Sequence, residues 1–101
     1  MAYGKSKDEV YLANGYESLT VTNSAVGTAW ANAKTAYKAF MTAETAEMRF
    51  RFDGDDPTSS EGHIIDAGDT LELYGNANIV NFKAIRTGDD SGVLKVTYYG
   101  N

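Results

Sequence analysis

From residue 46 to residue 99 the chain alternates. In Met48-Arg49-Phe50-Arg51-Phe52 apolar side chains hold every second position and arginines fill the gaps. The same beat returns in Leu71-Glu72-Leu73-Tyr74 and in Leu94-Lys95-Val96-Thr97-Tyr98. Successive strand side chains point to opposite faces, so this period of two sets one face on a core and the other in water. It is the pattern of half-buried antiparallel sheet, and it leaves no room for a long amphipathic helix in this half of the chain.

Turn formers divide the alternating runs. The segment Asp53-Gly54-Asp55-Asp56-Pro57-Thr58-Ser59-Ser60-Glu61-Gly62 is a long loop holding the single proline, and Ala67-Gly68-Asp69, Gly75-Asn76-Ala77-Asn78 and Thr87-Gly88-Asp89-Asp90-Ser91-Gly92 are further turns. Expected strands are Leu19–Thr22, Ala36–Ala43, Ala46–Phe52, His63–Ile65, Thr70–Tyr74, Ile79–Arg86 and Val93–Tyr99, with Glu44-Thr45 a tight connection or bulge. Ile79–Arg86 breaks the rule: Val80, Phe82 and Ala84 share one face, while Ile79 and Ile85 fall on the other. A bulge, or a strand covered on both faces, would account for this. Asn23–Thr35 is Ala-rich but lacks a helical stripe, so it is expected to be a loop with one helical turn, and its Trp30 a core plug more than a ligand platform.

Short strands at about 8–12-residue spacing with Gly-rich turns describe an all-β fold, a single antiparallel β-sandwich or jelly-roll-like domain of about six to eight strands. At 101 residues the chain makes one domain. We place it at residues 17–101, behind an N-terminal arm, residues 1–16, that either packs on its own domain or reaches a partner.

Charge and composition narrow the function. A net charge of −5 is wrong for a general nucleic-acid binder or for docking on anionic lipid. No run approaches the roughly 20 apolar residues of a membrane span, and the start, Met1-Ala2-Tyr3-Gly4-Lys5, carries no apolar signal. With no cysteine and one histidine, neither a disulfide framework nor a zinc site is expected from one chain. Asp53, Asp55 and Asp56 are oxygen-rich but lack the calcium-loop register, and acids in turns commonly serve capping and solvation. His63 follows Ser59-Ser60 without a nucleophile elbow, and no phosphate loop occurs, so neither an enzyme nor a cofactor is expected. Arg49, Arg51, Lys83, Arg86 and Lys95 are expected to point outward, forming cross-strand ion pairs with Glu44, Glu47 and Glu72 or a charged face for a partner.

One stretch has a familiar order. Ala39-Phe40-Met41-Thr42-Ala43-Glu44, Met48-Arg49-Phe50-Arg51, Asp53-Gly54, Pro57-Thr58, Gly62-His63, Gly68-Asp69 and Phe82-Lys83-Ala84-Ile85-Arg86 together resemble small structural proteins of tailed bacteriophages, over residues 36 to 99. The resemblance implies a virion component made in the bacterial cytoplasm, of the capsid decoration or accessory type. It would form a homo-oligomer, trimeric or larger, and bind the major capsid protein or another virion protein. Tyr3, Tyr11, Tyr16, Trp30, Arg49, Arg51, Tyr98 and Tyr99 are the residues expected to meet partners. A tail or adaptor component, and a carbohydrate-binding module stacking sugar on Trp30 or the Tyr98-Tyr99 pair, are the alternatives.

Overall fold

The computed structural model describes residues 12–29 and 33–100. Eight strands form: β1 (Ala13–Val21), β2 (Val26–Gly27), β3 (Lys38–Glu44), β4 (Met48–Arg51), β5 (His63–Ile65), β6 (Thr70–Tyr74), β7 (Lys83–Arg86) and β8 (Gly92–Tyr99). A short helix, α1 (Asn76–Val80), separates β6 from β7, and a 3-10 turn spans Ala33–Thr35. The strands build two antiparallel sheets, ordered β1-β8-β3-β6 and β2-β7-β4-β5. In this interleaved order the chain crosses repeatedly between layers, and the first and last strands lie side by side. It is the double Greek key of a jelly roll.

Alternation decides what lies between the layers. On β8, Gly92, Leu94, Val96 and Tyr98 are buried while their neighbours are half-buried, and β3 and β4 keep the same beat through Ala39, Met41, Ala43, Met48 and Phe50. Small residues on β3 leave room for Phe82, Met48 and the Tyr98 ring, all without exposed surface. Phe50 and Phe82 pack with ring centres 5.7 Å apart. Gly92 lies directly beneath Met48: a Cβ there would meet the Met48 sulfur at 2.4 Å.

Three sequence expectations shift. Leu19–Thr22 is the end of a longer strand that starts at Ala13 and pairs with β8 from Tyr99 to Gly92. Residues 13–16 therefore belong to the sheet, which moves the start of the domain ahead of residue 17. The run Ile79–Arg86 is the end of a helix, a two-residue link and a strand. Gly75, at φ 94°, turns the chain, and Asn76 donates its side-chain amide to the carbonyls of Ala33 and Ala36 at 3.1 and 3.0 Å, anchoring α1. Ile79 and Phe82, three residues apart across this turn, are both buried, which removes the apparent clash of faces. Asn23–Thr35 contains β2 besides its turn.

Candidate interaction surface

The outer side of the β1-β8-β3-β6 sheet carries the even-numbered residues of β1, β3 and β6 and the odd-numbered residues of β8. Register aligns them in rows. Tyr99 lies opposite Lys38, and Lys38 opposite Tyr74; Tyr16 lies opposite Thr97, Thr97 opposite Phe40, and Phe40 opposite Glu72. One end of the face is thus aromatic, and the other carries Ser18, Thr20, Thr42, Thr70 and Lys95. Tyr16 and Tyr74 are 58% and 53% exposed.

Lys38 organises the aromatic end. Its ammonium stands over the Tyr99 ring at 4.9 Å and the Tyr74 ring at 5.6 Å, and it pairs with Glu72 at 3.7 Å. The Tyr74 hydroxyl donates to the same carboxylate at 2.8 Å. The result is a nearly neutral patch in which the Tyr74 and Tyr99 rings share one cation. Sequence reasoning missed Lys38; its place beside Tyr74 and Tyr99 depends on strand order, which alternation alone does not give.

Beneath this face the buried Tyr98 meets the half-buried Glu17. Glu17 points inward from β1, where it accepts hydrogen bonds from the Tyr98 hydroxyl and from the Ala29 N–H, the latter at 3.0 Å. Burial, and next the hydrogen bond and negative charge of Glu17, hold the Tyr98 phenol well above its ordinary range. Tyr98 has no exposed surface. This corrects the expectation that Tyr98 meets a partner, and with it the idea of a Tyr98-Tyr99 stacking platform. Tyr16 and Tyr99 do lie on the outer face; Tyr3, Tyr11 and Trp30 lie outside the described residues.

The opposite sheet presents Arg49, Arg51, Lys83 and Ile85, and the long loop 53–62 folds back against them. Arg49 donates to the carbonyls of Ser59 and Gly62 at 3.2 and 2.7 Å. Arg51 pairs with Asp53 at 2.5 Å and Asp55 at 3.5 Å, and Lys83 with Asp56 at 2.9 Å. The hydrogen bond from Arg51 holds the Asp53 carboxyl below its usual range. Pro57 is buried under the loop, and Gly62, at φ 132°, passes so close to β4 that a Cβ would meet the Phe50 carbonyl oxygen at 3.0 Å. The expected partners Glu44, Glu47 and Glu72 are thereby corrected: Arg51 and Lys83 pair with aspartates of the adjacent loop, and Arg49 with its backbone carbonyls. Arg49 and Arg51 bind that loop in the chain's own fold.

An open hollow of about 450 Å³ beside the loop is lined by Pro57, Ser59, Ile85 and Arg86 among others, and Arg86 is its only ionisable group. Among the described residues no cluster of three or more His, Asp or Glu is arranged to hold a metal, and no helix is long and apolar enough to cross a membrane. At the β5–β6 turn the acids crowd instead: desolvation, then the charges of Glu47 and Asp69, raise the Asp66 pKa. Compared with known proteins, the chain matches no family model and no curated protein.

Proposed function

We propose that the protein is a non-enzymatic structural component of a tailed-phage virion, a decoration or accessory protein that self-associates and lies on the head shell. The observation that carries this reading is the aromatic face of the β1-β8-β3-β6 sheet. Tyr16, Phe40, Tyr74 and Tyr99 share that face, the last two beside Lys38, and exposed aromatic patches of this kind mark protein contacts. A face of exposed side chains on an open sheet suits docking on another protein better than it suits enclosing a small substrate. The jelly roll is a fold of viral capsid proteins, and of lectins too, so at fold level it supports both this reading and sugar binding by analogy alone. Lys38 favours the former: its ammonium lies over the ring faces of Tyr74 and Tyr99 on which a sugar would have to stack.

Co-sedimentation with intact heads of the encoding phage tests the proposal. The expected result is a saturating, fixed number of copies per shell, reduced when Tyr16 and Tyr74 are both replaced by Ser. Retention on an insoluble polysaccharide, with none on heads, would transfer the aromatic face to the carbohydrate reading.

A further inference from the structure

We infer that β1 is the seam between copies: the β1 strands of two molecules pair antiparallel across a two-fold axis and join two four-stranded sheets into one of eight strands. The inference deepens the self-association reading and rests on it.

The case starts from the four sheet edges. Among the described residues, β1 and β6 end one sheet, and β2 and β5 end the other. β2 has two residues, β5 three and β6 five, whereas β1 has nine. A strand with a neighbour on one side only turns alternate N–H and C=O groups outward, and long edges of this kind template further pairing. Proteins guard such an edge with lysine, proline, β-bulges or inward-pointing charges. β1, with the sequence ANGYESLTV, has no lysine and no proline. Its one charge, Glu17, turns inward and is held by Tyr98 and Ala29. The register irregularity between Ala13 and Gly15 sits at one end and leaves Tyr16 to Val21 in regular pairing.

Charge decides where a second copy can meet the first. At a net −5, two molecules repel one another, so they must meet where neither brings acid. The β5–β6 side fails this requirement. Glu72 is exposed on β6, Asp66 and Asp69 flank it, and the Asp66 carboxyl already feels the charges of Glu47 and Asp69. The outward residues of β1 in regular pairing, namely Tyr16, Ser18 and Thr20, are all exposed and uncharged. Pairing there sets no charge against its mate and runs the aromatic face of one copy into that of the next.

Symmetry narrows the register. Residues directly opposite across an antiparallel pair share a face, so a two-fold centred on Glu17 would oppose two carboxylates. A centre at Tyr16 or at Ser18 avoids this, the first by placing the two Tyr16 rings together. A two-fold seam also requires an even number of copies, unlike a simple trimer.

The chain has no cysteine, so single cysteines report cleanly. Tyr16→Cys and Ser18→Cys, oxidised under dilute conditions, are expected to give a cross-linked dimer at one of the two positions, because opposed Cβ atoms about 4.5–5.5 Å apart are near disulfide reach. Tyr74→Cys on β6 is the control and is expected to stay uncross-linked. Tyr16→Lys, which sets like charges across the seam, is expected to halve the solution mass with an unchanged circular-dichroism spectrum. A wild-type oligomer that cross-links only through Tyr74→Cys, that keeps its mass in Tyr16→Lys, or that contains an odd number of copies overturns the β1 seam and leaves self-association standing. A wild-type chain that stays monomeric overturns both.

Discussion

Tyr98→Phe removes one oxygen and leaves a fully buried ring in place. Packing of the aromatic ring between the sheets is kept, so the loss is that of the hydroxyl and its hydrogen bonds, first the one to the Glu17 carboxylate and then the one with Thr28. A hydrogen bond to a charged acceptor contributes about 1.5–3 kcal/mol net. The carboxylate retains the Ala29 N–H at 3.0 Å and is not orphaned, which places the expected loss near the middle of that range, about 2 kcal/mol. For a domain of this size each kcal/mol moves the thermal midpoint by about 4–8 °C, so the variant should melt about 8–16 °C lower. Thermal unfolding followed by circular dichroism measures this, with urea unfolding to confirm an unchanged m-value. Glu17→Gln closes a double-mutant cycle: in that background Tyr98→Phe should cost much less. There is a pH arm as well. The folded phenol is held above its ordinary value, so the unfolded chain gives up this proton first as pH rises. Its stabilising contribution is complete below about pH 10 and declines above it. Wild type should lose stability faster than Tyr98→Phe over that alkaline range. A midpoint shift below about 2 °C, with parallel alkaline profiles, would show that the Tyr98–Glu17 pair does not hold β1 to the core.

Gly92→Ala should destabilise by about 1–3 kcal/mol, because the new Cβ would sit 2.4 Å from the Met48 sulfur and force that side chain to repack; urea midpoints report it. Asp66→Asn should raise the melting temperature at pH 7, since folding disfavours the charged form at this position. The gain should vanish in strong acid, where the wild-type carboxyl is protonated in both states. Removal of residues 1–11 should leave the number of associated copies unchanged by light scattering; a fall to monomer would assign association to the arm.

The fold class was legible because burial follows parity. Met48 and Phe50 face in while Arg49 and Arg51 face out. Parity also places Tyr98 with Leu94 and Val96, so its burial could be read from the same beat, despite the general tendency of tyrosine toward surfaces. The α1 turn had a weaker signal, Gly75-Asn76 followed by Ile79 and Phe82 three apart, and it was masked by the β-branched run Ile79-Val80. Arg51 with Asp53 and Asp55 is a short-range pairing visible at spacings of two and four. Lys38 with Tyr74 and Tyr99, and Tyr98 with Glu17, join residues 25 or more positions apart. Only the 1-8-3-6 strand order brings these groups together, and turn chemistry fixes connections between neighbours in sequence without fixing which strands pair across a sheet.

Light scattering on a sizing column, run over a dilution series, bears most directly on self-association. Pairing along β1 requires a mass of twice 10.9 kDa or a higher even multiple, shifting toward the single chain only on dilution. A mass of 10.9 kDa at every concentration would contradict it.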